Sequence, residues 1–240
     1  IRNDREITID GLSTGLWLFL VGLFKKVVVA DTVAKFVDVA FANPAGFGSL
    51  ELLVGVYFFA FQILCDFSGY SDMARGISRM LGIDLVINFD QPYFSVSITE
   101  FWRRWHISLS TWLRDYVYIS LGGNCKGEVS MYRNLLVTML LGGLWHGASL
   151  TFVAWGALHG VILVVEKAWD RHRLLKRSTR GPAAAVFRGL LTFHLVCLCW
   201  VFFRADSFTA AVVYLGNILR LTPTLEYQFE PIQLFVVGAF

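Results

Sequence analysis

Charge is scarce in this chain. Asp, Glu, Lys and Arg make up 16% of its 240 residues, against about 25% in soluble domains. Hydrophobic residues reach 56% and the mean hydropathy is +0.58. That balance excludes a water-soluble globular domain and, with a net charge of only +3, gives no basis for nucleic-acid binding. Cysteine is scarce too. Of Cys65, Cys125, Cys197 and Cys199, three lie in apolar runs and no pair has zinc-ligand spacing with partners, so neither a disulfide framework nor a metal centre is expected. His194 beside Cys197 and Cys199 has no carboxylate to complete a site. The opening IRNDREITID has neither the basic nor the apolar region of a signal peptide. With Ile1 first and Phe240 last in an apolar run, the chain is expected to be an internal piece of a longer polytopic protein.

Familiar catalytic signatures are missing. No Walker or dinucleotide glycine motif occurs, and no His is followed by Asp at the H-x4-D spacing. GLSTG, Gly11 to Gly15, has the letters of a serine-hydrolase elbow but not the strand that must precede it.

What is present is apolar sequence in membrane-sized runs. Gly11 to Ala30 carries Lys25 and Lys26, expected to snorkel to an interface or face protein. Leu50 to Leu64 continues into a segment with Asp66, Asp72, Arg75 and Arg79, where the acids are expected to pair with the arginines. Asp84 to Val96 reads as loop. Glu100 to Ile119 reads as one amphipathic helix, with Thr99 as N-cap and Gly122 to Asn124 as its end. Its aromatic face carries Trp102, Trp105 and His106, and the opposite side carries Arg103, Arg104 and Arg114. Asn134 to Trp145 reads as a short, half-spanning helix that leaves His146 deep in the membrane. Leu150 to Val165, Ala183 to Phe203 and the shorter Ser207 to Leu221 follow. The stretch Lys167 to Arg180 holds six Lys and Arg, so the positive-inside rule makes it cytoplasmic. The fold class is therefore all-α integral membrane, and residues 1–240 are taken as a single membrane domain.

Two histidines carry the candidate chemistry. A neutral imidazole accepts a proton from a hydroxyl near pH 7. His146 lies among Gly142, Gly143 and Gly147, which leave room for a substrate. His106 is a second site group, for binding a donor substrate or for proton transfer, or else an interfacial packing residue. Arg103, Arg104 and Arg114 suit either a phosphate-bearing donor or anionic lipid. His159 reads as a helix-packing residue and His172 as a solvated one. GLWHG and GALHG are both G-x-x-x-G, a spacing that lets membrane helices approach closely.

DFSGYSDMARG, FWRRWHISLSTWLRDYVYISLGG and YRNLLVTMLLGGLWHGAS, in that order, resemble the membrane-bound O-acyltransferases, and in particular the alginate O-acetyltransferase branch. The likeness runs from about Ile63 to Glu166. It implies a multi-helix fold around a central funnel in a bacterial inner membrane. It implies that the family's invariant histidine corresponds to His146 and its second polar residue to His106. It also implies an acyl group moved from a cytoplasmic thioester, acetyl-CoA or an acylated carrier, toward an extracytoplasmic polysaccharide hydroxyl, directly or through a partner transferase. No resident cofactor is implied. Ser120 and Cys125 depart from the branch, which often has Pro and a basic residue there. Three alternatives stay open: a relative that exports D-alanine to teichoic acid, a transporter of acyl groups or saccharides, and a scaffold for a secretion complex.

Overall fold

The computed structural model describes residues 6–171 and 181–222. These residues are helical, with no strand among them. The chain divides into two compact units, Ile1–Asn88 with Gly216–Phe240, and Phe89–Leu215. Helices long and apolar enough to cross a membrane cover Ile9–Ala42, Ser49–Met80, Leu150–Arg171 and Pro182–Arg204, in line with the all-α membrane class.

In the first unit, α1 (Ile9–Phe24), a π-helical stretch (Lys25–Ala30) and α2 (Asp31–Ala42) run without a break. GLSTG lies inside α1, so its serine has no strand-to-helix elbow. The second apolar run and its charged continuation form one 32-residue helix, α3 (Ser49–Met80). α1 and α3 touch backbone to backbone, since a Cβ on Gly15 would stand 2.7 Å from the Gly76 carbonyl oxygen. The charges of this unit are satisfied between helices. Lys25 binds Asp72 at 2.7 Å, Lys26 binds Asp66 at 2.7 Å, and Arg75 reaches Asp72 at 3.3 Å. Asp72 thus pairs with Arg75 as expected and with Lys25 besides, whereas Asp66 pairs with Lys26 instead of an arginine. Apolar surroundings offer a lone ammonium no water, so facing a carboxylate is its cheapest arrangement.

The second unit departs from expectation at the amphipathic segment. Glu100 to Ile119 is not one helix. It comprises α4 (Ile98–Arg104), α5 (Ile107–Trp112) and a π-helical turn (Leu113–Tyr118). The N-cap is Ser97 rather than Thr99, because the Ser97 hydroxyl accepts from the Glu100 amide at 3.1 Å. The chain breaks where Trp105 turns extended and His106 becomes left-handed, φ 42. Neither residue is a breaker by propensity. Trp105 is 4% exposed and its ring packs on Phe89, Phe101 and Trp200 at 5.0–5.6 Å. The Arg104 carbonyl, freed by the break, accepts from the Asp90 amide at 3.0 Å. Aromatic burial and a replacement hydrogen bond together outweigh the local helical preference.

α6 (Glu128–His146) has 19 residues, six more at its start than the apolar run Asn134 to Trp145. Its polar first turns are supported by buried Asn134, which donates to the Leu121 and Gly123 carbonyls at 3.2 and 3.1 Å. Gly122 and Gly123 take positive φ in that turn, as the expected helix end requires. α7 (Leu150–Arg171), α8 (Pro182–Arg204) and α9 (Phe208–Leu219) follow the apolar runs closely. Residues 172–180, with His172 and most of the basic loop, and the loop with Pro223 and Pro231 lie outside the described residues.

The two G-x-x-x-G motifs meet. A Cβ on Gly143 of α6 would strike the Phe152 carbonyl oxygen, and one on Gly156 of α7 would strike the Met139 carbonyl oxygen. By contrast, nothing lies within 4 Å of a Cβ built on Gly216. Gly156→Ala is expected to cost about 1–3 kcal/mol through overpacking, whereas Gly216→Ala stays neutral or gains slightly from helix propensity. Thermal unfolding of the detergent-solubilised variants checks the difference, and equal melting temperatures contradict the close approach.

Candidate functional site

His146 is the last residue of α6. The turn after it needs Gly147, whose φ of 152 no side chain adopts readily. The contact of α6 with α7 sets the His146 ring against Trp155 at 5.1 Å, edge to face. Phe203 of α8 at 5.0 Å and Phe152 at 6.0 Å complete the surround. The imidazole is therefore half-buried among aromatic rings.

His106 sits at the α4–α5 break. It stacks near Phe89 at 6.4 Å and meets the edge of Trp145 at 6.2 Å. Trp145 lies 5.0 Å from His146, so one indole stands next to both histidines. His106 lies outside the four spanning helices. Burial, with a smaller contribution from the His146 charge, lowers its pKa to about 4, which keeps the ring neutral at pH 7.

A separate cavity of about 450 Å³ opens between α4, α5, α6 and α7. Arg103, Arg114 and Lys167 bring positive charge to it, and Thr99, Trp102 and Thr138 add polar atoms. Arg103 and Lys167 make no ion pair among the described residues, while Arg114 is held by Asp115 at 2.7 Å. Arg104 does not line the cavity. It is bound to Glu100 at 2.7 Å, and Glu100 in turn accepts from the Val96 amide at 2.9 Å. The structure thus brings Arg103 together with Arg114 and Lys167, and His106 together with His146, but leaves Arg104 out of both groups.

Two residues that support this arrangement were not singled out in the sequence. Glu166 of α7 accepts from the Ile98 and Thr99 amides at 2.7 and 3.2 Å, capping α4 from 68 residues away. Negative charge at a helix N-terminus is favourable, and the bond ties the arginine-bearing helix to α7. Lys167 read only as part of a basic run. Its spacing of four from Leu163 places both on the cavity side of α7. His194 is bonded locally, its Nδ1 donating to the Leu190 carbonyl at 2.7 Å. No group of three His, Cys, Asp or Glu among the described residues could hold a metal ion.

Residues 4–204 match the family described as membrane-bound O-acyltransferase. The chain is 50% identical over 211 residues to a probable alginate O-acetylase of Pseudomonas syringae, covering 87% of this chain and 39% of that protein. It is 42% identical over 220 residues to a peptidoglycan O-acetyltransferase of Helicobacter pylori, covering 92% and 41%. It is 32% identical over 191 residues to a teichoic acid D-alanyltransferase of Streptococcus thermophilus, covering 75% and 46%. The chain spans about two-fifths of the length of the first of these relatives.

The left-handed backbone at His106 separates its ring chemistry from its fold role. His106→Asn and His106→Gly suit φ 42 and are expected to retain wild-type stability, whereas His106→Val loses about 1–2 kcal/mol. Chemical denaturation of the three purified variants measures this, and a stable valine variant contradicts the break between α4 and α5.

Proposed function

The chain belongs to the membrane-bound O-acyltransferase family, and from that premise we propose that the protein containing it transfers an acetyl or related acyl group from a cytoplasmic thioester to a hydroxyl of an extracytoplasmic polysaccharide. The observation that carries this reading is that α7 lines a basic cavity at one point and touches His146 of α6 at another. Lys167 lines the cavity and Trp155 touches His146. These two residues of α7 are twelve apart, about 18 Å along the helix axis. α7 thus adds a charge for a phosphate-bearing donor at one point and packs against the base for the acceptor at another.

In the proposed step, Arg103, Arg114 and Lys167 hold the phosphates of acetyl-CoA or of a carrier-linked phosphopantetheine. Lys167 begins the basic stretch that the positive-inside rule assigns to the cytoplasm, which supports donor entry from that side. His146 accepts the proton of the acceptor hydroxyl as its oxygen attacks the thioester carbonyl. The carbon–sulfur bond breaks, and His146 returns the proton to the departing thiolate. His106, kept neutral by burial, assists from the far side of Trp145. Transfer ends on the polysaccharide or on a partner transferase that passes the acyl group on. The alginate O-acetylase relative favours an exopolysaccharide acceptor. The D-alanyltransferase relative supports a second reading, export of an aminoacyl group to teichoic acid.

Full-length protein in proteoliposomes with radiolabelled acetyl-CoA tests the proposal. His146→Ala is expected to lower label transfer by about 10²–10⁴-fold at wild-type expression. Paired loss of charge in Arg103→Ala/Lys167→Ala is expected to raise the donor KM at least tenfold and leave kcat within about twofold. Transfer that survives both changes contradicts the reading.

A further inference from the structure

His159 was expected to be a packing residue, and it is fully buried, 0% exposed. Yet neither of its ring nitrogens has a hydrogen-bond partner among the described residues. A neutral imidazole carries one N–H donor and one bare acceptor nitrogen, so both needs go unmet in protein. The same is true of its neighbours. The Trp102 ring lies 5.1 Å from it and the Trp155 ring 5.0 Å, and both indole N–H groups are buried without a partner. The Thr99 hydroxyl, on the cavity wall, is buried and unpartnered as well. The nearby Trp200, by contrast, donates to the Tyr93 hydroxyl at 3.2 Å. Buried polar groups without partners are uncommon and call for an explanation. Several gathered at one place point to a ligand.

The place itself is informative. Trp155, His159, Leu163 and Lys167 recur at intervals of four along α7, one row on the helix surface. Lys167 and Leu163 line the basic cavity, as does Trp102. Trp155 touches His146. His159 lies between, about 6 Å of helix rise from Trp155 and about 12 Å from Lys167. The cluster thus stands between the cavity-lining end of this row and the end that touches His146.

We propose that His159, Trp102 and Trp155 form a buried binding site for one neutral oxygen ligand. Two indole N–H groups and an imidazole N–H donate to its lone pairs. The oxygen is either the thioester carbonyl of the acyl donor during transfer, a source that rests on the acyltransferase reading, or a bound water. Donors aimed at the carbonyl polarise it and stabilise the negative charge that develops on its oxygen. A water in the same place either accepts from the imidazole N–H or, with the other tautomer, donates to the bare nitrogen that faces it.

Trp102→Phe, Trp155→Phe and His159→Phe in the full-length protein keep an aromatic ring and delete the polar atoms; the Trp variants also lose indole volume, so stability is judged on His159→Phe and kinetics on all three. Melting temperature in detergent and acetyl-transfer kinetics in proteoliposomes are read together. If the oxygen is the donor carbonyl, kcat falls about tenfold or more with KM within about twofold, and the melting temperature holds or rises. If it is water, the melting temperature falls and kcat stays near wild type. If both fall, His159→Gln, which retains a donor and an acceptor, decides: recovery supports the site and continued loss overturns it. A plain aromatic core predicts that His159→Phe is as stable or more stable and that kcat is unchanged in all three variants, and that result also overturns the proposal. The thermal measurement needs no turnover. A wild type that transfers no label therefore sinks the acyltransferase reading, while the site is still judged on stability.

Discussion

The contact of α6 with α7 at Gly143 and Gly156 governs the rest of the second unit. Here two helix backbones touch, with carbonyl oxygens where side chains would otherwise stand. In an apolar medium helix association relies on close packing rather than on the hydrophobic effect, so this approach fixes the pair tightly. It follows that His146, three residues after Gly143, meets Trp155, one residue before Gly156. The rings of Phe203 and Trp200 then close on Trp155 from α8. The base proposed for acyl transfer is thus held by backbone geometry and aromatic walls rather than by a hydrogen-bonded partner residue.

The other half of the arrangement depends on α4. Glu166 caps it from α7, and Trp105, buried against Phe101 and Trp200, ends it. Arg103 is directed to the cavity while the chain three residues later turns left-handed and delivers His106 to Trp145. A continuous helix would have kept His106 on the face of Trp102 and Trp105. The break sends the basic residue and the histidine to different sites, and α7 runs past both.

Much of the fold was legible because apolar run length and membrane thickness are tied by helix geometry. The runs from Gly11, Leu50, Leu150 and Ala183 all became helices of spanning length. Chain-local signals also marked the helix end at Gly122 to Asn124 and the close approach of the two G-x-x-x-G motifs. Three features were not legible. The break at Trp105 and His106 contains no glycine or proline, and its cause is a set of contacts with residues as distant as Trp200. The early start of α6 at Glu128 lies in polar sequence that hydropathy does not register. Lys25 and Lys26 found carboxylates on another helix, which depends on the helix pairing. At the site, both histidines stand out in sequence by chemistry and by family resemblance, but Lys167, Glu166 and the buried polar cluster at His159 exist only once α4 and α7 are packed.

The sharpest measurement compares wild-type and His146→Gln full-length protein in proteoliposomes with labelled acetyl-CoA. Glutamine keeps hydrogen-bonding capacity and similar bulk but cannot accept a proton. A general base at His146 predicts that donor binding is retained while transfer to the acceptor falls by about 10²–10⁴-fold. Transfer within about twofold of wild type contradicts that role and points instead to a protein that passes the acyl group or saccharide without reacting it.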